Sequence, residues 1–169
     1  MINALFAVDP YGGMGLNGTM PWPHNSADLA NFKQLTLGHV VVMGRKTWND
    51  ENMPKPLKGR ITYVATSSPT LFNTATISGD LKQEVLKLEK QHPGKIIWII
   101  GGPDILEQCR DVLDRVYLTH YKKTYKVDTK INIRQFLSGW DQVSAVADPN
   151  LDFTTVVYEN FFGRTKTST

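Results

Sequence analysis

The segment IIWIIGGPDIL, residues 96–106, decides how this chain folds. Five apolar residues in a row run into two glycines and a proline. A strand with one face in water alternates apolar with polar side chains. A strand that is apolar at every position is covered on both faces, as parallel strands in α/β sheets are. Pro103 then stands where a first helical residue tolerates the loss of its N–H. The segment HVVVMGRKTW, residues 39–48, repeats the design: an apolar run ends at Gly44 and a helical start follows. Two such strand-to-helix junctions predict a layered α/β protein in which these two strands are central and parallel.

Working outward, INALFAV (2–8), RITYVAT (60–66) and RVYLTHY (115–121) read as further strands, each bounded by turn signals. Helical patterns lie between them: SADLANFKQLT (26–36), a turn from RKTWNDE (45–51), DLKQEVLKLEKQ (80–91) with Leu81, Val85 and Leu88 in step, and PDILEQCRDVLDR (103–115). The last third changes character. WDQVSAVAD (140–148), the turn-rich PNLD and FTTVVYENFF (153–162) predict a closing antiparallel hairpin, so the sheet is mostly parallel with an antiparallel edge. The 169 residues suit one domain, expected over 1–163, with a polar tail at 164–169 that frays.

A net charge of +3 and a pI near 8.9 come from scattered basic residues, densest in YKKTYK and GRKTW. That pattern suits a small anionic ligand better than duplex nucleic acid. Cys109 is the only cysteine, which leaves no disulfide framework and no cysteine cluster for a metal, and points to a reducing, cytoplasmic compartment. The start MINALFAVD reads as a strand rather than a leader, and no apolar run approaches membrane length.

Three places carry possible chemistry. At Gly44, Arg45, Lys46 and Thr47, free backbone amides and two cations face one spot; at Gly101, Gly102 and Pro103 a second amide-rich helix start appears. Each alone is also what an ordinary turn into a helix looks like. Together, at the carboxyl ends of two buried strands, they predict one long phosphorylated ligand in the crevice beyond the sheet. Two adjacent cations favour NADPH over NADH. The second place is the glycine-rich loop DPYGGMGLNGTMPW, where Met20 and Trp22 either close over an apolar ligand or pack on the domain. The third is TMPWPHNSADLANFK, where Asp28 shares a helix face with Phe32 and Leu35. The acid either complements the helix dipole or lines a pocket.

The run GLNGTMPWPHNSADLANFKQLTLGHVVVMGRKTW, followed in order by PLKGR, ITYVATSS, IIWIIGG, VYLTHY and VDT, resembles the dihydrofolate reductase family. The resemblance implies an α/β fold with a central eight-stranded, mostly parallel sheet, an antiparallel C-terminal strand and about four flanking helices. It implies reduction of 7,8-dihydrofolate to tetrahydrofolate by NADPH, serving one-carbon metabolism and thymidylate synthesis, in a cytoplasmic monomer. Dihydrofolate and antifolates would be its partners, with no nucleic acid, membrane or metal. Asp28 would accept hydrogen bonds from pterin N3 and the 2-amino group, with Thr119 as its hydroxyl partner and Trp22 holding an ordered water. Leu5, Leu29, Phe32, Met53 and Leu57 would pack on the substrate, Arg60 would clamp its glutamate α-carboxylate, and the carbonyls of Asn3 and Ile100 would complete the pterin's bonds.

On the cofactor side the resemblance implies Ala7, Gly15, Leu16, Met20, Gly44, Arg45, Lys46, Thr47, Thr66, Ser67, Ser68, Ile100, Gly101, Gly102, Pro103, Asp104, Ile105, Leu106 and Asp128, with the two glycines joined by a cis peptide. Leu106 replaces the family's usual tyrosine, Asn3 a usual aliphatic residue, and the segments around Gly12–Gly13 and NDENMPK are longer than expected. Two other readings share parts of this pattern: a reductase of a riboflavin-pathway pyrimidine, which would not need Asp28 and Phe32, and a nucleotide-binding module whose chemistry has lapsed.

Overall fold

The computed structural model describes residues 1–55, 57–68 and 74–160, and the tail expected to fray lies outside them. The strands are β1 (Ile2–Val8), β2 (Gly13–Gly15), β3 (Val40–Gly44), β4 (Ile61–Ala65), β5 (Ala75–Ile77), β6 (Ile97–Ile99), β7 (Arg115–Tyr121), β8 (Thr129–Lys130), β9 (Trp140–Ala147) and β10 (Phe153–Asn160). Eight of them form one sheet in the order β5-β4-β3-β6-β1-β7-β10-β9, while β2 and β8 pair apart. All neighbours from β5 to β7 are parallel. β10 runs antiparallel to both β7 and β9, as the sequence predicts.

The helices are α1 (Ser26–Thr36), α2 (Arg45–Trp48), α3 (Leu81–Gln91), α4 (Pro103–Cys109) and α5 (Ile133–Phe136), of which α2 and α5 are single turns. The long helical pattern at 103–115 breaks early. After Cys109 the chain tightens into a 3-10 turn at Arg110–Val112, which buries Val112 and Leu113 and delivers Arg115 to its register opposite Asn3. Arg110 fixes this corner by donating to the carbonyl oxygens of Phe136 and Ser138.

The sheet's pleat sorts its side chains into two cores. Ile2, Ala4, Phe6 and Val8 of β1, Val40 and Val42 of β3, and Ile97 and Ile99 of β6 face one layer. There they meet Leu81, Val85 and Leu88 of α3 and Leu106 and Cys109 of α4. Leu5, Val41, Met43 and Trp98 face the other layer, with Trp48, Leu57 and Val64. That is why β3 and β6 are apolar at every position. Burial pushes the Cys109 thiol up to about 12, which removes it from nucleophilic chemistry.

α1 behaves differently. Asn25 caps it, its side chain accepting from the amides of Ala27 and Asp28, yet Thr36 alone of its residues is fully buried. Leu29, Phe32 and Leu35 are only half covered. Leu35 packs on the core, whereas Leu29 and Phe32 form part of the wall of a cavity.

Candidate active site

A cavity of about 450 Å³ opens at the carboxyl ends of β1, β3, β6 and β7, between α1, the glycine-rich loop and the segment that follows α2. From the residues expected at the site it gathers Leu5, Ala7, Gly15, Met20, Trp22, Asp28, Leu29, Phe32, Lys46, Thr47, Met53, Leu57, Arg60, Ile100, Gly101, Gly102, Pro103 and Thr119. These positions lie up to 114 residues apart, from Leu5 to Thr119. The register explains the meeting: Ala7 is paired with Thr119 across β1 and β7 at the point where both strands end in the crevice.

Asp28 sits at one end, in the first turn of α1. Its Oδ1 accepts from the Thr119 hydroxyl at 3.4 Å and its Oδ2 from the Tyr121 hydroxyl at 3.0 Å. Burial pushes its carboxyl above the usual carboxylate range, and the two hydroxyls pull it back in part. Tyr121 has no counterpart among the expected site residues. Alternation alone points to it, since residues 119 and 121 of one strand share a face. Its ring stacks on Trp22 with centroids 4.1 Å apart and planes 14° apart, and both rings pack with Phe153. The Trp22 indole N–H is buried without a partner among the described residues, and Met20 stays 41% exposed at the mouth.

Arg60 stands farther out along α1. Its Nε donates to the Lys58 carbonyl at 3.1 Å and Nη1 to the Thr36 hydroxyl at 3.4 Å, with the guanidinium carbon 5.9 Å from the Phe32 ring centre. Lys33 lines the same part of the wall. At the opposite end the Gly44 amide donates to the Gly101 carbonyl at 2.8 Å. A Cβ on Gly44 would come within 3.0 Å of Ile105 Cγ1, so a larger residue there would press on that side chain of α4. The Gly101–Gly102 peptide is cis, as expected. Lys46, Thr47 and these glycines present a cation, a hydroxyl and backbone amides together, a donor set that fits a phosphate group.

The glycine-rich loop is tied at several points. Buried Asp9 accepts from the amides of Tyr11, Gly13 and Tyr125. Asn17 and Gly18, with φ of 53° and 81°, make the tight turn joining Leu16 to Thr19. Asp128 donates its amide to the Gly15 carbonyl and accepts from the Asn17 amide at 2.9 Å. First that amide and then the Thr129 hydroxyl hold the Asp128 carboxyl below its usual range. Asn52 reaches the loop from across the mouth, donating to the Thr19 hydroxyl at 2.9 Å.

Several expected residues do not line the cavity. Asn3 is paired with Trp98 and Arg115, two pleats below the Ala7–Thr119 pair, and its buried amide finds no partner among the described residues; Leu5 stands in the lining instead. Asp128 is engaged with the loop, and Leu16 with its turn. Leu106 is fully buried in the core beneath the sheet, and Ile105 packs against it and against Gly44. Gly44 lies beneath the rim. Arg45 and Asp104 are exposed outside it, on the first turns of α2 and α4. Thr66, Ser67 and Ser68 follow β4, whose Ala65 pairs with Gly44, so they continue the same sheet end beyond the cavity. Sequence reasoning also missed Phe6, Met14, Thr19, Asn31, Asp50, Asn52 and Thr129 in the lining: Thr19, Asp50 and Asn52 lie on loops, Met14 and Thr129 on strands too short to read, and Phe6 and Asn31 on the parts of β1 and α1 that border the cavity.

A family model described as dihydrofolate reductase matches residues 1–160. The chain belongs to the dihydrofolate reductase family. It is accordingly an NADPH-dependent oxidoreductase. The chain is 30% identical over 165 residues to dihydrofolate reductase type 9 of Escherichia coli, covering 94% of this chain and 90% of that one. It is 33% identical over 129 residues to dihydrofolate reductase of Bacillus subtilis, covering 76% and 73%. A solved dihydrofolate reductase from Enterococcus faecalis, complexed with NADP(H) and RAB-propyl, superposes with a TM-score of 0.80 at 27% identity. That match covers 95% of this chain and 96% of the other. The eight-stranded sheet is thus the family's sheet. Among the described residues no helix is long and apolar enough to cross a membrane, and no group of His, Cys, Asp and Glu is placed to hold a metal.

Proposed function

We propose that this chain reduces 7,8-dihydrofolate to tetrahydrofolate, with the pterin held against Asp28 and NADPH entering from the Gly101–Gly102 end, on one domain over 1–163 acting as a monomer. The observation that carries the reading is the polarity of the cavity: a half-buried carboxylate at one end, a cation with glycine-lined amides at the other, and apolar walls between. Bound there, NADPH would supply the hydride that pterin C6 takes up. Binding, orientation and the control of water fall to the chain.

Asp28, ionised, accepts from pterin N3 and the 2-amino group, which fixes the ring and raises the basicity of N5. Phe32 and Leu29 hold the aromatic part of the substrate from α1, with Met53 and Leu57 opposite. Arg60, aimed by Thr36 and Lys58, clamps the glutamate α-carboxylate. Asp28 does not protonate N5 itself. Water admitted past Met20 and Trp22 brings that proton, and the loop held by Asp9 and Asp128 sets how often it enters. Lys46, Thr47 and the glycine amides take the cofactor phosphates, and Arg45 on the next exposed position favours the cofactor carrying the extra phosphate. The same Asp28 edge suits antifolates that present two adjacent N–H donors.

The test is direct. Protein, NADPH and dihydrofolate are mixed and the reduced-nicotinamide absorbance is followed; it falls steadily, and faster than with NADH. A flat trace with folded protein ends the reading. A pyrimidine reductase of riboflavin synthesis would leave Asp28 and Phe32 without a task, and would consume NADPH only with its own substrate.

A further inference from the structure

We propose that Tyr121 is a positioning residue of this site, its hydroxyl stabilising the charged form of Asp28 and aiming the carboxylate at the donor edge of the substrate. The inference rests on the reading of Asp28 as the group that holds the pterin. Tyr121 ends β7, two residues beyond Thr119 on the same face, and is 3% exposed. Its ring is fixed on three sides: stacked on Trp22 at 4.1 Å, tilted on Phe153 at 5.6 Å and edge-on to Tyr125 at 6.3 Å. A ring so held leaves its hydroxyl one direction, and Asp28 Oδ2 is there at 3.0 Å.

The two hydroxyls divide the carboxylate between them, Thr119 on Oδ1 and Tyr121 on Oδ2. An ionised carboxylate offers about four acceptor directions. With one taken on each oxygen, one remains on each, which matches two parallel N–H donors. Anchoring both oxygens also stops rotation about the Cβ–Cγ bond, so the remaining directions point one way. Between the two, Tyr121 has the stronger hold. Its bond is shorter than the 3.4 Å from Thr119, and a phenol is a better donor than an aliphatic alcohol.

No cation takes over this task. Lys33 on α1, Lys46 on α2, Asp50 and Arg60 lie in the cavity wall. Tyr125 and Asp152 face Tyr121 from the segments packed beside it. None of these is hydrogen-bonded or ion-paired to Asp28 among the described residues. Tyr121 stays protonated, because burial first, and the facing Asp28 carboxylate next, push its phenol far above the ordinary value. It therefore remains a donor through the range in which the Asp28 carboxyl titrates.

Tyr121→Phe removes the hydroxyl and keeps the ring. In the full chain without ligand, the Asp28 carboxyl is titrated by carbon NMR in wild type and variant. Its midpoint rises in the variant by about one unit, a tenfold gain in proton affinity. The pH profile of kcat/KM for dihydrofolate moves up with it, whereas a residue that only fills space would leave both midpoints in place. An Asp28 midpoint unmoved within a few tenths of a unit, or a moved midpoint with an unmoved kcat/KM profile, overturns the proposal. Should the variant not fold, the wild-type chain decides. The Tyr121 ring carbon bearing oxygen follows the Asp28 titration if the bond is made, and its indifference to that titration overturns the proposal. Absence of any dihydrofolate turnover in wild type would instead refute the functional reading, and the carboxyl titration would still decide whether Tyr121 controls Asp28.

Discussion

Replacing Arg60 by Leu isolates what one guanidinium does for substrate selection. Two of its five N–H donors are already used, on the Lys58 carbonyl and the Thr36 hydroxyl. Arg60 lines the cavity, so the donors left over are available to a carboxylate carried on the glutamate end of a substrate. Two charge-assisted bonds to that carboxylate, discounted because the side chain is partly exposed, contribute about 2–3 kcal/mol, or roughly 30- to 150-fold in kcat/KM. Thr36 keeps its own bond to the Phe32 carbonyl at 2.8 Å, so the helix end survives the change and the fold is little affected. The loss should appear in KM with kcat nearly unchanged, because the clamp is made equally in ground and transition states. Steady-state rates are measured with dihydrofolate and with a dihydropterin that lacks the glutamate. The full loss appears with the first and none with the second. Equal losses on both substrates, or a fall in kcat at constant KM, would refute the placement of the substrate's tail along Phe32 towards Arg60.

Asp28→Asn should lower turnover by about 10²- to 10³-fold while NADPH affinity, read by fluorescence titration, stays put. The same variant should melt higher at neutral pH. Because burial raises the native Asp28 pKa above its ordinary 3.8, the native state binds more protons than the unfolded one above that value, and stability is lost as pH rises until the group has ionised. Asparagine removes that cost; a lower melting temperature would contradict the sign. Leu88→Ala, which hollows the core between α3 and the sheet, should cost about 2–5 kcal/mol in urea unfolding and leave the folded enzyme's kinetic constants alone. A loss well below that range would mean the site is not close-packed. His39 accepts the Ile96 amide on Nδ1 at 2.9 Å, and burial, then Lys95, lowers its pKa from 6.5. The unfolded chain therefore takes up the proton first, and this contribution to stability is lost as pH falls below about 6.5. His39→Asn should flatten that acid-side slope, and an unchanged slope would assign it to other groups.

The sheet's centre was legible because its physics is local. Val40–Met43 and Ile97–Ile99 are apolar at every position since each strand has a layer on both sides, and no other environment tolerates such a run in water. α1 was legible over 26–36 from its helical pattern, and the Asn25 cap that fixes its start is what the structure adds. β5 is as short as β6 but buries only Ile77, and the β2–β8 ladder pairs glycines with Thr129 and Lys130, so neither carries an apolar run and both went unread. The helix at 103–115 was read too long for a related reason. Its apolar spacing continues through Val112 and Leu113, but those side chains are buried by a 3-10 turn, and register with β1 claims Arg115 for the sheet.

The site divides along the same line. Asp28, Phe32 and Leu29 lie on one turn and a half of helix, so their shared face was open to inspection, and so were the glycine-ended strands that place Gly44 against Gly101. What resisted was register. Asn3 and Leu5 look equally eligible on β1, and only the pairing of Ala7 with Thr119 shows that the cavity begins at Leu5 and leaves Asn3 below it. Tyr121 reaches Asp28 across 93 positions, a distance no local pattern spans. Yet once Thr119 is placed at the carboxylate, the two-residue period of a strand puts Tyr121 beside it, and the Trp22 and Phe153 rings leave its hydroxyl no other outlet. The acid that stood out on an apolar helix face is therefore not alone there. Its charge is held by two hydroxyls from one strand, and the weaker member of that pair is the one the family resemblance had named.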